Sequence, residues 1–172
     1  MSERLSRFDP LPAAPMVGAA ATIALAALTP RYSLRGDAAE LQPLTSIRLP
    51  EKIGDWRMNG AELALKLGPD EWLLLGEVAQ SPDALNSSVT EITERQLGIS
   101  IDGPASAAIV MAGCPLDLAT MPAGRGTRTI YETVEIVVIK HSDTRFQIEV
   151  WRSFAPWLWA ALATAAANCE RA

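Results

Sequence analysis

Hydrophobic and polar positions alternate most clearly at residues 62–76. The stretch ELALKLG (62–68) places a leucine at every second position, and the apolar run WLLL (72–75) follows shortly after it. The intervening GPDE (68–71) has the composition of a tight turn, in which Pro69 presets φ. This pattern predicts a β-hairpin.

The segments on either side of this hairpin predict shorter elements. RYSLRGD (31–37) is typical of a strand that leads into a helix capped by Asp37, and Pro43 weakens or shortens that helix. SIRLPEKIGDWRMNG (46–60) has no sustained period and indicates an irregular connection. After the hairpin, SPDALNSS (81–88) has the residues to cap another short helix.

The middle of the chain predicts two strands and a helix. VTEITERQLGISIDG (89–103) offers two strand-like pieces, and the second has a regular apolar face. That face consists of Leu97, Ile99 and Ile101. A helix over residues 104–112 begins with Pro104, the residue favoured at a first helical position, and ends at the loop GCPLDLATMPAGRG (113–126).

Two further strands follow that loop. TRTIYETVEIVVIKHS (127–142) is apolar on both faces near Val137 and Val138, as is typical of a central strand. TRFQIEVWRS (144–153) alternates, which predicts one buried and one solvent-exposed face. The buried side is Phe146, Ile148 and Val150, and the exposed side is Arg145, Gln147 and Glu149. The changing periods predict a mixed α+β domain.

The chain closes with SFAPWLWAALATAAANC (153–169), which predicts a helix with Ser153 as its N-cap. At 100° per residue, Trp159 lies well over 100° from the middle of the apolar stripe. The stripe is formed by Phe154, Leu158, Ala161, Leu162 and Ala165. A helix that is apolar on nearly all sides indicates a partner in a chain of this size, so we expect a subunit interface at Trp151, Trp157 and Trp159.

The start of the chain has the outline of a signal peptide, because the apolar residues 16–28 follow two arginines. Acidic residues and three prolines interrupt the approach, and the apolar run is too short to span a bilayer. We therefore predict a flexible arm over residues 1–16 and a single domain over 17–172 that opens with a buried strand. The signal peptide remains the alternative.

Composition limits the function classes. The chain has 172 residues, of which 49% are apolar and 20% charged, and this fits one globular domain with a sizeable core. The net charge of −5 argues against nucleic acid, because binding phosphates requires a clustered basic face. A protein partner or a neutral small molecule fits this composition better, and neither nucleic acid nor membrane is expected as a partner.

Few residues are available for nucleophilic or metal chemistry. Cys114, Cys169 and the lone His141 are too few for a cysteine-rich zinc site and have no ligand spacing. A chain with two cysteines and no secretion signal is more often cytosolic and reduced, so we expect a cytoplasmic protein without a disulfide. A catalytic Cys114 would need His141 as its base. We expect Cys114 to be a small packed residue at the exit of a helix.

Three other segments have alternative interpretations. AGRGTR (123–128) carries Arg125 and Arg128, which form either a turn entering a strand or a contact loop that binds an anion or a partner. Asp70 and Glu71 form either an acid/base pair or the solvated tip of the hairpin. GPASAA, around Ser106, lacks the second glycine of a nucleophile elbow. We expect no catalytic, cofactor-binding or metal-binding residues on this chain.

Three blocks of the sequence carry a family resemblance. LGPDEWLLLG (67–76), VTEITERQLGISIDGPASAAIVMAGCPLDL (89–118) and FQIEVWRSFAPWLWAAL (146–162), in this order and spacing, resemble the gamma subunit of heterotetrameric sarcosine oxidase. That family is itself similar to the folate-binding domain of glycine-cleavage T proteins. The resemblance implies an α+β fold of antiparallel or mixed sheets with packed helices and ferredoxin-like duplicated halves.

The resemblance also implies a function. Such a gamma subunit assembles with alpha, beta and delta subunits that demethylate sarcosine to glycine, pass the methyl carbon to tetrahydrofolate and form hydrogen peroxide. FAD, FMN, NAD and zinc belong to the other subunits, which implies a non-catalytic structural subunit here. Thr90 and Glu91 depart from the family pattern at the position of a folate-type polar contact. A stand-alone folate-binding or aminomethyltransferase-like protein is the alternative function.

Overall fold

The strands of the protein form two antiparallel sheets in a computed structural model, which describes residues 10–12, 14–79 and 87–171. In chain order they are β1 (Met16–Val17), β2 (Thr22–Leu25), β3 (Arg31–Arg35), β4 (Trp56–Asn59), β5 (Glu62–Gly68), β6 (Glu71–Leu75), β7 (Ser88–Glu91), β8 (Gln96–Asp102), β9 (Arg125–Tyr131), β10 (Val134–Ser142) and β11 (Arg145–Trp151). The six-stranded sheet has the order β1-β2-β8-β11-β10-β9, and the five-stranded sheet has the order β4-β5-β6-β3-β7. The helices are α1 (Ala38–Leu41), α2 (Ser106–Met111) and α3 (Ala155–Cys169). The predicted α+β class is confirmed.

The predicted hairpin is confirmed as β5 and β6, joined by Pro69 and Asp70. The predicted helix after β3 is also confirmed: the Asp37 carboxylate accepts a hydrogen bond from the Ala39 N–H, at 2.6 Å. Pro43 ends α1 early, and a 3-10 helix covers Gln42–Leu44. Most of the predicted helix at 81–88 lies outside the described residues.

One strand was missed in the segment expected to be irregular. β4 pairs with β5 alone and forms an edge of its sheet. Its last three residues are exposed, so no alternation of buried and exposed positions marks it in the sequence. β4 is therefore a strand because it pairs with β5, and its sequence pattern alone does not predict it.

The sheets and helices stack in four layers with three apolar cores. The middle core lies between the sheets, where Leu65 and Leu73 meet Val137 and Ile139. The largest core lies between the six-stranded sheet and helices α2 and α3, and it includes the predicted apolar face of β8. The third lies between the five-stranded sheet and the segment around α1. Both sheets are therefore covered on both faces.

This layering corrects the predicted exposed face of β11. Glu149 is 1% exposed, because its face of β11 is covered by the five-stranded sheet. Its carboxylate pairs there with the buried Arg31, at 2.6 Å from Nε, and accepts a hydrogen bond from Gln147. The apolar face of β11 packs against the helices as expected.

The start of the C-terminal helix also differs from the prediction. The N-cap residue is Phe154, not Ser153, and it makes no side-chain capping bond. The core-facing positions of α3 also differ from the predicted stripe: the buried residues are Ala155, Leu158, Trp159, Leu162 and Ala165. Within the predicted flexible arm, Leu11 is buried in the largest core and Met16 pairs with Ile23.

The two sheets are built from a repeated unit. The order strand, helix and three strands occurs first as β3-α1-β4-β5-β6 and again as β8-α2-β9-β10-β11, and the strands have the same neighbours in both units. The details repeat as well: Gly36, at φ +130°, donates its N–H to Asp70, as Gly103, at φ +150°, donates to Thr144. The structure thus contains the duplicated halves that the family resemblance implied.

The edge strands of the two units meet at the boundary between the sheets. Asp55 and Arg125 form an antiparallel bridge and also an ion pair. Gly126 donates its N–H to the Gly54 carbonyl, at 2.8 Å, and Trp56 donates its N–H to the Gly124 carbonyl, at 3.3 Å. This symmetric contact joins β4 to the start of β9.

Candidate functional site

Exposed aromatic side chains gather where β11 turns into α3. Trp151, Phe154 and Trp157 are each about 40% exposed. Trp151 lies against Phe154, with ring centroids 6.4 Å apart, and Trp157 packs edge-on against the buried Tyr131, with centroids 6.3 Å apart. We call these three side chains the aromatic patch. Burial raises the pKa of the Tyr131 hydroxyl, so the ring beneath Trp157 stays neutral.

Trp159 is not part of this patch. It is 9% exposed and lies in the core between α3 and the six-stranded sheet, so the prediction that it faces away from that core is wrong. The error came from placing Phe154 on the buried stripe. Phe154 is exposed, and the buried positions follow the spacing i, i+3, i+4 and i+7 from Ala155, so Trp159 is among them.

The segment AGRGTR forms a turn that enters a strand, the first of its two interpretations, and Arg125 and Arg128 lie in β9. Arg125 pairs with Asp55 and donates to the Ile53 carbonyl, at 3.0 Å, so its guanidinium helps to join the two sheets. Arg128 points into the space between the sheets, where it pairs with Glu71 at 2.6 Å. Whether either residue contacts another subunit remains a prediction.

Glu71 occupies the centre of a charged cluster and is not the solvated tip that the turn sequence suggested. It is 9% exposed, and it pairs with Arg35, at 3.1 Å, as well as with both terminal nitrogens of Arg128. The Arg128 hydrogen bonds hold the pKa of Glu71 below its usual value despite the opposing effect of burial. The same pair raises the pKa of Arg128. Both groups are therefore charged throughout the physiological pH range.

This cluster borders a cleft that opens between the sheets, which we call the charged cleft. Its volume is about 430 Å³. Arg35, Arg95 and Arg128 provide its positive charges, Glu71 and Glu135 its negative charges, and Leu73, Ile92, Val137 and Gln96 lie farther inside. Thr90, one of the two departures from the family pattern, lines the same cleft.

The second cleft lies at the related position in the other unit and also measures about 430 Å³. Its lining includes His141, Arg145 and Gln147. His141 packs against Trp56, with ring centroids 5.1 Å apart. Burial and the nearby Arg145 lower the pKa of His141, and a hydrogen bond with Gln147 offsets part of that effect, so the imidazole is neutral at pH 7.

Cys114 lies on the other side of the six-stranded sheet from His141. It is 5% exposed and packs in the core under the helices, which confirms the predicted packing role. A cysteine–histidine catalytic pair would need both groups in one site. The neighbouring Gly113 is also explained by packing, because a Cβ there would lie 2.3 Å from the Tyr131 ring.

Metal-binding clusters and membrane-spanning helices are both absent from the described residues. Over residues 10–12, 14–79 and 87–171, no group of three or more His, Cys, Asp or Glu side chains could hold a metal ion. Within the same ranges, no helix is long and apolar enough to cross a membrane.

Two of these features had sequence signals that were overlooked. Glu71 is two residues before Leu73 in the same strand, so the period of two already places it on the face that points between the sheets. Glu149 lies next to a strand that is apolar on both faces, and such a strand implies a sheet covered on both sides. Gln96 carries no such signal, because its burial depends on the second sheet.

Comparisons with known proteins identify the fold. No family model matches the sequence, and no curated protein matches it. A chain of the heterotetrameric sarcosine oxidase from Corynebacterium sp. U-96, solved in complex with pyrrole 2-carboxylate, matches with a TM-score of 0.79 and 22% identity, over 90% of this chain and 88% of that one. The glycine cleavage system aminomethyltransferase T from Bartonella henselae matches with a TM-score of 0.63 and 13% identity, over 81% of this chain but only 44% of that one. The protein shares the α+β fold of both.

Proposed function

We propose that this chain is a non-catalytic, gamma-type subunit of a heterotetrameric sarcosine oxidase. The observation that carries the proposal is the match to a sarcosine oxidase chain over nearly the full length of both chains. The three sequence blocks that resemble the gamma subunit lie on β6, on β8 with α2, and on β11 with α3, so they fall within the shared fold. The resemblance in sequence and the likeness in fold thus support the same assembly.

In that assembly the partners are alpha, beta and delta subunits, and the complex demethylates sarcosine in the cytoplasm. The products are glycine, hydrogen peroxide and a one-carbon unit transferred to tetrahydrofolate. FAD, FMN, NAD and zinc are held by the partner subunits. The contribution of this chain is a surface on which the partners pack, which fits its exposed aromatic residues and the packing role of Cys114.

The aromatic patch is the best candidate for that surface. Tryptophan is enriched among the residues that dominate protein–protein binding energy, and exposed aromatic rings are costly to keep in water. Trp151 lies against Phe154, Trp157 follows Phe154 by three residues at the start of α3, and Trp151 and Trp157 are each partly fixed by a neighbouring ring. Fixed rings lose little conformational entropy on docking.

The second candidate function is a stand-alone folate-binding or aminomethyltransferase-like protein. The likeness to an aminomethyltransferase T and the charged cleft favour it. Against it, this chain spans less than half the length of the aminomethyltransferase chain that it matches. The two functions differ in partners, so an experiment on assembly separates them.

The test is purification of the tagged full-length chain from its own cells, followed by mass spectrometry and assay of the eluate. The proposal expects three other chains in equal amounts, bound flavin, and hydrogen peroxide formation that depends on sarcosine. A lone chain that binds tetrahydrofolate or transfers an aminomethyl group would support the alternative. A tagged chain that elutes without partners and shows neither the oxidase activity nor the folate-related activity would contradict both functions.

A further inference from the structure

The charged cleft contains a buried polar group that its surroundings leave unpaired. Gln96 is 8% exposed, and its Oε1 has no hydrogen-bond partner among the residues that the structure describes. The backbone of Gln96 is fixed, since its N–H donates to the Ile92 carbonyl and the residue pairs with Trp151 in the sheet. A buried acceptor without a donor has lost its hydration and gained no hydrogen bond in exchange. A ligand that donates a hydrogen bond to Gln96 Oε1 therefore gains binding free energy.

A second feature lies at the mouth of the same cleft. The Arg95 guanidinium is centred 4.6 Å from the ring of Trp151, and no carboxylate in the described ranges pairs with it. Stacking fixes the plane of a guanidinium and leaves its edge open to a carboxylate, which binds through two parallel hydrogen bonds. Arg95 therefore differs from Arg35 and Arg128, which already pair with Glu71.

The charge of the cleft limits the ligand. Three arginines and two glutamates line it, which leaves one excess positive charge. Glu135 is half exposed at the rim, 3.9 Å from Arg128, where it repels a dianion more than a monoanion. Between the rim and Gln96, the walls include the buried side chains of Leu73, Ile92 and Val137.

We propose that the charged cleft binds a small monocarboxylate whose carboxylate pairs with Arg95 and whose far end carries an O–H or N–H that donates to Gln96 Oε1. An apolar middle section of the ligand packs against the walls between the two ends. The volume of about 430 Å³ is within the range of small-molecule sites. This inference concerns the chain itself and does not depend on the proposed function.

The related cleft of the other unit provides the comparison. Its Arg145 already faces Asp102, at 3.8 Å, and Gln147 donates to Glu149, at 2.7 Å. Neither unpaired atom of the described residues, Gln96 Oε1 and Ser106 Oγ, lines this second cleft. A variant of Arg145 is therefore a matched control for changes at Arg95.

The experiment is an NMR titration of the full-length chain with four probes: 4-hydroxybutyrate, butyrate, 1-butanol and inorganic phosphate. The flexible hydroxy acid has all three proposed features, and each organic control lacks one polar end. We expect 4-hydroxybutyrate to bind about tenfold more tightly than butyrate, the ratio that one hydrogen bond provides. The shifted resonances should include the Gln96 side-chain amide and the Trp151 indole N–H.

Variants assign the two ends of the ligand. Gln96→Leu and Gln96→Met should reduce the tenfold ratio to about one without weakening butyrate. Arg95→Met keeps the stem packed on Trp151 but should weaken both carboxylates about tenfold, whereas Arg145→Met should change neither. Using two substitutions at Gln96 keeps the test decisive if one of them unfolds the chain.

Several results would overturn the proposal. Equal affinity for butyrate and 4-hydroxybutyrate in the unmodified chain would show that Gln96 takes no donor from the ligand. If both Gln96 variants still bound 4-hydroxybutyrate about tenfold more tightly than butyrate, that result would also show that Gln96 takes no donor from the ligand. Phosphate binding that exceeds that of every carboxylate would indicate a general anion site, and no binding by any probe at high millimolar concentration would mean that the cleft holds no such ligand.

Discussion

Glu71 balances positive charge in the charged cleft. It is nearly buried, and it neutralises two arginines that would otherwise repel each other. We predict that Glu71→Gln lowers the free energy of unfolding at pH 7 by about 1–2 kcal/mol, since an amide makes weaker hydrogen bonds to guanidinium groups than a carboxylate does. Urea denaturation at several pH values measures the loss.

The pH dependence of that loss has a definite sign. The folded-state pKa of Glu71 is lowered, so its carboxylate stabilises the protein above the ordinary value of 4.5, and this contribution disappears as the pH falls through the folded-state value. The difference in the free energy of unfolding between wild type and Glu71→Gln should have its largest value above about pH 5 and should decrease below that pH. Glu135→Gln, at a half-exposed position, is the control and should cost little at any pH. A loss of stability in Glu71→Gln that does not vary with pH would contradict the claim that the charged carboxylate of Glu71 stabilises the fold.

The two tryptophans of α3 predict opposite outcomes. Trp159 is core, so Trp159→Ala should lower the free energy of unfolding by about 3–5 kcal/mol. Trp157 is 40% exposed and loses mainly its edge contact with Tyr131, so Trp157→Ala should cost about 1 kcal/mol. Thermal melts of both variants decide this. Equal losses, or a larger loss at Trp157, would mean that the phase of the helix is wrong.

For single residues, the role of a side chain could be predicted from sequence where its contacts lie within one strand or helix. The capping role of Asp37 depends on its own backbone and on Ala39, two residues away, and it was predicted. The burial of Glu149 depends on a second sheet and on Arg31, which is 118 positions away, so alternation along β11 alone could not reveal it. Trp159 failed for a third reason: the predicted stripe included Phe154 and left out Ala155, so its middle lay about 50° away from the middle of the buried face.

Among the elements, the junction between β4 and β9 offers a matched pair of glycines. Gly54 and Gly124 have φ values of +86° and +84°, so alanine strains both backbones by about 1–2 kcal/mol. A Cβ at Gly54 would also lie 2.6 Å from the Arg125 guanidinium, whereas a Cβ at Gly124 meets nothing within 4 Å. We predict that Gly54→Ala costs about 1 kcal/mol more than Gly124→Ala.

Chemical denaturation of the two glycine variants checks this prediction, and Arg125→Ala provides the control background. With the guanidinium removed, most of the extra cost of Gly54→Ala should disappear, and the remainder comes from the Gly126 carbonyl oxygen, which would lie 3.2 Å from the new Cβ. An extra cost that is undiminished without Arg125 would place its origin elsewhere in the junction.

The elements themselves were predicted to different degrees, depending on how much of their pattern is local. The hairpin of β5 and β6 carries both alternation and a turn sequence, and it was located correctly. β4 carries neither and was missed, because pairing with β5 alone makes it a strand. The four-layer arrangement was not predicted: the resemblance implied antiparallel or mixed sheets with packed helices, and no local pattern shows which faces of two sheets meet.

For the whole molecule, the fold is a duplicated pair of sheets with two related clefts and one aromatic surface. The resemblance implied the duplicated halves, but it gave neither the clefts nor the composition of the aromatic surface. That surface was predicted in part, since Trp151 and Trp157 are exposed and Trp159 is not. Its role as a docking surface is the central claim of the proposed assembly.

Native mass spectrometry of the tagged chain purified from its own cells tests that claim most directly, with Trp157→Ala and the exposed control Leu28→Ala, 93% exposed in the wild type, purified in parallel. We predict a complex of four different chains for the wild type and for Leu28→Ala. For Trp157→Ala we predict mostly the lone chain, with a melting temperature close to that of the wild type, because a buried tryptophan anchor is worth about 2 kcal/mol or more of binding. A wild-type chain that appears alone, or a Trp157→Ala chain that assembles as completely as the wild type, would contradict the claim.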